Sequence, residues 1–347
     1  MGSGKTTSFD IAHRAGVSQA TVSRALRDSP LVNPETRERV KRIARELNYQ
    51  VDRAASGLRS QHSNTLALLF FEDPTSDDSQ INPFFLSMLG NITRAAARRN
   101  YDLLVSFQQL SNDWHIKYEA SNRADGIILL GYGAYSGFAD KVKKLITADA
   151  HFVIWGATGP HLRGHSIGCD NIKGAFDATS HLIGLGRKNI AFFGNKSIDS
   201  PEFKQRYEGY RKALTSAGLN IDPGLQFDAN NQESSGAFAT TCLLQSGKPF
   251  DAIFTASDLI AIGAIKRLRK AGLKIPENVS VVGFDDIPAA SYLNPSLSTI
   301  HQDTIAAGEQ LVNQVIRMIN GKALEPQLVT PTLVIRDSCG GKSPTDD

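Results

Sequence analysis

The chain is poor in the residues that build disulfide frameworks and metal centres. Its 347 residues include three cysteines, Cys169, Cys242 and Cys339, which lie far apart and form no Cys-x-x-Cys pair. An odd number of widely spaced thiols argues against a disulfide framework and fits the reduced thiols of the cytoplasm. The eight histidines show no metal-ligand spacing either. The sequence therefore predicts neither a metal nor a cofactor.

Long apolar runs are also missing. No segment is apolar enough to span a bilayer, and the N-terminus has no signal-peptide core, so we expect a cytoplasmic protein without a membrane partner. Residues 2–7 (GSGKTT) mimic the end of a phosphate-binding loop. The earlier glycine and the preceding strand of such a loop are absent, so no nucleotide site is expected there. No Ser/His/Asp catalytic order can be assigned, and we expect no enzymatic activity.

Charge is unevenly distributed along the chain. Residues 1–60 carry 11 Lys and Arg against 6 Asp and Glu, whereas the rest carries 27 against 29, so the net charge of +3 hides a basic N-terminal head. A basic head attracts phosphates without reading a nucleotide sequence.

Residues 8–27 (SFDIAHRAGVSQATVSRALR) have the pattern of a helix-turn-helix. Ser8 is placed to cap a first helix, whose apolar face holds Phe9, Ala12 and Ala15. Gly16 supplies the left-handed turn. Ser18 caps a second helix that buries Val22, Ala25 and Leu26. The residues left facing outward, as on a helix that meets base edges in the major groove, are Gln19, Ala20, Ser23 and Arg24.

A third helix is predicted to follow. Asn33-Pro34 combines a capping residue with proline at the first helical position. The apolar stripe of this helix consists of Val40, Ile43, Ala44 and Leu47. A helical hairpin without a DNA role is the alternative, which the basic charge disfavours.

Beyond residue 64 the chain alternates short apolar runs with amphipathic helical patterns. The predicted strands are 65–71, 101–107, 126–130, 151–155, 189–193, 252–255 and 279–284. The predicted helices are 84–99, 138–147, 172–185, 201–217, 234–245 and 259–271. This alternation is typical of parallel sheets covered on both faces, and its length favours two Rossmann-like halves. The fold class is therefore α/β with an all-α helix-turn-helix head.

Residues 16–49 resemble the DNA-binding headpiece of the LacI/GalR family of bacterial transcriptional repressors. The resemblance rests on V-S-x-x-T-V-S-R followed by V-x-x-x-T-R-x-R-V. It implies that Gln19 and Ala20 choose the operator sequence, and that Arg24 reads a guanine. The chain departs from the usual pattern at Arg27-Asp28. The other headpiece residues expected at the DNA are Thr7, Phe9, Ser18, Thr21, Ser23, Asn33 and Tyr49.

Residues 51–63 join the headpiece (1–50) to the body. A two-turn helix here is marginal in isolation, and Gly57 weakens it further, so a plain linker is one interpretation. The family resemblance implies a hinge helix that forms on DNA. Leu58 would then be a wedge between base pairs, and Ala55 would allow two hinge helices to approach.

The body resembles the rest of the same family and, with it, periplasmic sugar-binding proteins. The matching residues include Asn82-Pro83-Phe84-Phe85, Arg206-Tyr207-Glu208-Gly209-Tyr210, Ser257-Asp258 and Gly283-Phe284-Asp285-Asp286. The resemblance implies an N-terminal subdomain of residues 64–160 plus 291–321 and a C-terminal subdomain of residues 161–290 plus 322–340. The chain would cross between them near 156–165, 285–294 and 320–324. Residues 341–347 are expected to form a disordered tail.

A ligand cleft is expected between the two subdomains, where loops follow strand ends. A sugar site needs aromatic plates and planar hydrogen-bonding groups, for which Phe84, Phe85 and Trp155 are the plate candidates, although they could equally be core aromatics. Arg206 and Asp285 would bind hydroxyls. Asp258 fits a cap or hinge pair better than a ligand contact. Further candidates are Asn82 and Ser257, with Asn231 and Gln232 as weaker ones.

The sequence thus predicts a homodimeric, sugar-responsive repressor that binds a pseudo-palindromic operator and is released by its effector. Three alternatives remain at this point. The effector could be a purine or another non-sugar molecule, or it could act as a corepressor. Less consistent with the head is a sugar-binding protein or enzyme without a DNA role.

Overall fold

A computed structural model describes residues 6–49, 62–70, 81–107, 113–114, 116–131, 135–156, 162, 164–197, 199–322, 324 and 327–341. Contacts divide the chain into two compact units, residues 1–63 and 64–347. The expected hinge residues Ala55 and Leu58 lie outside the described residues. So do positions 2–5 of the loop-like segment and positions 342–347 of the expected tail.

The first unit contains three helices, α1 (Ser8–Ala15), α2 (Gln19–Leu26) and α3 (Pro34–Glu46). Gly16 has the predicted left-handed conformation, with φ of +62°. Ser18 and Asn33 cap α2 and α3 as predicted, since each side chain accepts a backbone N–H of the following helix. The predicted cap at Ser8 is wrong. Thr7 occupies the cap position, because its N–H and hydroxyl both donate to Asp10, each over 2.7 Å.

The core of this unit is small and lies between the three helices. It consists of Ile11, Ala12, Ala15, Val22, Ala25, Val32, Val40, Ile43 and Ala44. Phe9 was expected on the apolar face of α1, but its side chain is 66% exposed. Ile11, one helical turn before Ala15, fills the core in its place. Phe9 is therefore available at the surface.

In the second unit, sheet A is six-stranded and parallel throughout, with the order β11-β5-β4-β3-β1-β2. Its strands are β1 (Thr65–Phe70), β2 (Asp102–Phe107), β3 (Gly126–Leu130), β4 (Phe152–Trp155), β5 (Ser166–Cys169) and β11 (Gln327–Val329). The central strands β3 and β4 are buried along their whole length, as the continuous apolar runs predicted.

Sheet B is four-stranded and also parallel, with the order β7-β6-β8-β9. Its strands are β6 (Ile190–Phe193), β7 (Gln226–Phe227), β8 (Ala252–Thr255) and β9 (Ser280–Val282). A separate antiparallel pair, β10 (Thr299–His301) with β12 (Thr332–Val334), joins the end of β9 through bridges at Ser298 and His301.

Helices alternate with these strands, as expected for an α/β body. They are α4 (Pro83–Arg98), α5 (Tyr135–Thr147), α6 (Asn171–Gly184), α7 (Pro201–Ser216), α8 (Glu233–Gln245), α9 (Asp258–Lys270), α10 (Pro288–Tyr292) and α11 (Thr304–Ile319). A π-helical turn at Ile116–Ala120 and 3₁₀ turns at Pro223–Leu225 and Asp337–Cys339 complete the described elements.

The strand pairing moves all three expected crossings between the subdomains. Strand β5 was expected in the C-terminal subdomain, but it pairs with β4 in sheet A, so the first crossing follows residue 169. Residues 298–301 still pair with sheet B, which places the second crossing near Gln302. Strand β11 returns to sheet A, so the third crossing lies near residue 330. Backbone pairing between distant segments fixes these boundaries, and family spacing alone placed them too early.

Helices α8 and α9 pack closely against each other at Gly236 and Gly263, which gives a stability prediction. A Cβ at Gly263 would overlap the carbonyl oxygen of Glu233. Gly263→Ala should therefore lower the free energy of unfolding by about 1–3 kcal/mol, measured by urea denaturation. Gly184→Ala is the matched control, because its Cβ would meet nothing within 4 Å and alanine favours a helix. Equal denaturation midpoints for the two variants would contradict the tight crossing.

Candidate functional site

Helix α2 and its cap residue carry half of the residues predicted to contact DNA. Ala20 and Arg24 are exposed, as is the cap residue Ser18, while Gln19 and Ser23 are partly exposed. Thr21 is also partly exposed, and its hydroxyl lies 2.9 Å from that of Ser18. The helix thus presents hydroxyl, amide, methyl and guanidinium groups on one short surface.

The remaining headpiece candidates lie elsewhere in the same unit. Thr7 and Phe9 are exposed at the start of α1. The Asn33 side chain caps α3, and Tyr49 packs partly against the three-helix core. These last two residues therefore have structural roles that the sequence pattern did not separate from DNA contact.

The structure shows the contacts made at Arg27-Asp28, where the chain departs from the family pattern. Arg27 donates to the hydroxyl of Ser23 over 2.6 Å and to its carbonyl over 3.2 Å. Asp28 has a left-handed backbone conformation, with φ of +57°, and its carboxylate forms an ion pair with Lys41 of α3 at 2.5 Å. The loop is thereby tied to both neighbouring helices.

In the second unit, Arg206 of α7, which we expected to bind effector hydroxyls, is the centre of a buried polar cluster. Its side chain is 1% exposed. Its guanidinium donates to Asn171 Oδ1 over 2.9 Å, to the carbonyl of Ala256 over 2.5 Å and to Asp285 Oδ1 over 3.3 Å. It also lies 3.8 Å from the ring centre of Phe284. The cluster joins α6, α7 and the loops after β8 and β9.

Asp285 is held in an uncommon backbone conformation at the end of β9. Its φ is +120° and that of Asp286 is +53°, a region that non-glycine residues rarely adopt. Asp285 accepts from Gln302 Nε2 over 2.7 Å as well as from Arg206. Strained backbone of this kind is often retained where a side chain must be aimed at a ligand.

Ser257 and Asp258 are both fully buried, and their polar atoms are engaged inside the protein. Ser257 caps α9. Asp258 accepts from the N–H of Ile287 over 2.9 Å and lies 2.5 Å from the Thr299 hydroxyl. Burial, and then the nearby Asp285 carboxylate, raise the pKa of Asp258 well above its usual range. The cap interpretation of Asp258 is wrong, because Ser257 holds the cap position and the Asp258 carboxylate instead ties the start of α9 to Ile287 and Thr299.

The predicted aromatic plates form one cluster. The ring centres of Phe84 and Phe85 are 5.3 Å apart, and those of Phe84 and Trp155 are 6.1 Å apart. All three side chains are buried. Asn82 caps α4 by accepting the N–H of Phe84 over 2.9 Å. Asn82 therefore fixes the start of the helix that carries two of the plates.

A cavity of about 200 Å³ lies beside Phe84 and Asp285. Other residues of its wall include Ser87, His301, Gln302 and Arg336. The residues predicted from sequence did not include the polar wall residues Gln302, His301 and Arg336, nor Asn171. Gln302 and Asn171 lie at the chain crossings, which the sequence placed elsewhere.

His301 on the cavity wall gives a pH prediction. The hydrogen bond that His301 Nδ1 donates to the Asp286 carboxylate over 2.8 Å raises the pKa of His301 above its usual 6.5 despite partial burial. The stability from this pair is complete below pH 6.5 and is lost as the pH rises through the raised value.

Because the His301 side chain is 42% exposed, we expect a contribution below about 1 kcal/mol. Thermal unfolding of wild type and His301→Gln from about pH 5.5 to 8.5 measures it. The two stability curves should converge at the alkaline end. Curves that stay parallel across the range would contradict the prediction.

Among the described residues, no group of three or more His, Cys, Asp or Glu is placed to hold a metal ion. No helix in the described ranges is long and apolar enough to cross a membrane.

Family profiles match both units. The profile described as "Bacterial regulatory proteins, lacI family" matches residues 9–52. A profile for a periplasmic binding protein-like domain matches residues 179–339.

Curated relatives match over almost the whole chain. The HTH-type transcriptional regulator RegA of Clostridium saccharobutylicum is 33% identical over 329 residues, which are 93% of this chain and 96% of the relative. AscG of Escherichia coli, an HTH-type transcriptional regulator, is 32% identical over 96% of this chain and 98% of its own. The HTH-type transcriptional repressor PurR of Haemophilus influenzae is 28% identical over 95% of this chain and 97% of its own length. These relatives are named regulators and not enzymes.

Solved structures give the same result. A complex of the transcriptional regulator CelR with cellobiose is 30% identical, covers 96% of this chain and 99% of its own, and superposes with a TM-score of 0.71. A lac repressor dimer bound to operator and the anti-inducer ONPF shares the fold, with 24% identity, coverage of 97% and 99%, and a TM-score of 0.83. The chain therefore belongs to the lacI family of bacterial regulatory proteins and is a DNA-binding transcriptional regulator.

Proposed function

We propose that this regulator is a homodimeric repressor of a pseudo-palindromic operator. A saccharide or glycoside bound between sheets A and B would lower its affinity for that operator. The observation that carries the effector part is the buried cluster of Arg206, Asp285, Asn171 and Gln302 beside the aromatic cluster of Phe84, Phe85 and Trp155.

The chemistry of this cluster suits a polyhydroxyl ligand. Arg206 and Asp285 neutralise each other, so the cleft offers fixed donors and acceptors without a large net charge. A sugar needs such planar polar groups for its hydroxyls and aromatic faces for its C–H surface. The solved structure of the similar regulator CelR is a complex with cellobiose, which supports the same ligand class for this chain.

The DNA part rests on α2 and on the basic head. We propose that Ser18, Gln19, Ala20, Thr21, Ser23 and Arg24 lie in the major groove. Thr7 and Phe9 would contact the flanking backbone.

The dimer part is supported by apolar surface on sheet A. Strand β2 lies at the sheet edge, and its residues Val105 and Phe107 are 44% and 50% exposed. Leu86 of the neighbouring helix α4 is 46% exposed. Apolar side chains at an open sheet edge favour association with another chain, and a second copy would match a two-fold operator.

The effector class is tested with the full-length protein and the duplex that it selects from a random pool. Operator affinity is measured by gel shift with a panel of mono- and disaccharides and β-glucosides, and calorimetry compares these with purine bases. A saccharide that weakens operator binding at least tenfold supports the proposal. A purine that binds while no saccharide does would overturn the effector class, and tighter operator binding with ligand would establish corepression instead.

A further inference from the structure

One contact in the headpiece links the recognition helix α2 to α1. Gln19 Nε2 donates to the hydroxyl of Ser8 over 2.8 Å. Ser8 is the first residue of α1, and Gln19 is the first residue of α2, eleven positions later. The family resemblance names Gln19 as a chooser of sequence but gives no role to Ser8.

The contact determines which polar groups Gln19 has left for DNA. A glutamine amide has one oxygen acceptor and two N–H donors. Ser8 takes one N–H, so Oε1 and the second N–H remain on the same planar group. Ser8 on α1 holds the Nε2 end of that group, which limits rotation of the Gln19 side chain.

One acceptor and one donor on a planar group match adenine. In the major groove adenine offers the N6 donor and the N7 acceptor side by side, whereas guanine offers two acceptors. Ala20, the next residue, is exposed and carries only a methyl group, so it adds no competing polar group.

We propose that Ser8 is a positioning residue for Gln19, and that the pair reads one adenine in each operator half-site. The inference rests on the proposed placement of α2 in the major groove. Without the Ser8 hydroxyl, the Gln19 amide would turn freely and its preference for adenine over the other bases would fall.

The test selects duplexes from a pool with about two helical turns of random sequence. Wild type should enrich duplexes with adenine at one position of each half-site, and Gln19→Ala should lose that preference alone. Ser8→Thr keeps the hydroxyl, whereas Ser8→Val introduces a side chain of the same shape as threonine without the hydroxyl. We expect Thr to retain the adenine preference and Val to reduce it roughly three- to tenfold.

A second measurement reports on the reading bond itself. Placing 7-deazaadenine at the selected position removes the N7 acceptor, which should weaken wild-type binding about tenfold and leave Gln19→Ala unchanged. Equal adenine preference for the Thr and Val variants, or another base at the Gln19-dependent position, would overturn the inference. If wild type enriches no sequence at all, the proposed placement of α2 fails as well.

Discussion

Arg206→Ala should reduce effector affinity at least a hundredfold while the headpiece still binds operator. The buried guanidinium holds Asn171, Asp285 and the carbonyl of Ala256 in fixed positions. Removing it leaves the Asp285 carboxylate buried beside fewer donors, which should also destabilise the second unit by about 3–5 kcal/mol. Calorimetric titration with the active saccharide and thermal unfolding measure the two effects.

Arg206→Lys keeps the charge if the alanine variant is too unstable. An ammonium group cannot reproduce the forked geometry that reaches three acceptors, so a large loss of effector affinity is still expected. Lys212→Ala removes an exposed charge from the same helix α7 and serves as the control. Equal effector affinity for Arg206→Lys and Lys212→Ala would contradict the assignment of Arg206.

Arg24→Ala should lower the affinity for the selected operator about 10- to 100-fold. Arg24 is exposed on α2, and within the described headpiece no carboxylate forms an ion pair with it, so its fork is available for a guanine. Arg24→Lys should recover only the part due to charge. Fluorescence anisotropy at one fixed salt concentration measures the affinities, because phosphate binding varies strongly with salt.

The control for Arg24 is Arg42→Ala on α3. This substitution removes the same charge from a side chain that lies 4.0 Å from Glu46 on the same helix. A loss of less than about threefold is expected for it. If both variants lose affinity equally on specific and random duplexes, Arg24 contributes charge and no base reading.

Local signals predicted the headpiece well. Gly16, Ser18 and Asn33-Pro34 each act through their own backbone or the next turn, and the structure has them in those roles. The first cap failed because Thr7 and Ser8 both carry a hydroxyl. Asp10, three residues after Thr7, decides between them by bonding back to Thr7.

In the second unit, sequence patterns predicted only some of the helices and strands. Buried strands such as β3 and β8 were predicted because their apolar runs are continuous. Strand β5 has the sequence SIGC, and it becomes a strand only by pairing with β4 and β11. Helix α11 was also missed, although Asp303 caps it and an apolar stripe runs along it.

The residues of the candidate site were likewise predicted only in part. Asp285 follows the end of β9 and Arg206 lies in the second turn of α7, two elements that sequence locates, and the structure brings their side chains within hydrogen-bond distance. Asn171 and Gln302 lie where the chain passes between the two sheets. Those positions depend on long-range pairing, so the polar cluster could be predicted only in part.

The central claim is that one chain couples ligand in the body to operator at the head. Saccharide binding to the dimer should be measured by calorimetry with and without saturating operator duplex. Linkage requires operator to weaken saccharide binding by the same factor, at least tenfold, by which saccharide weakens operator binding. Identical saccharide affinities in the two titrations would contradict the account.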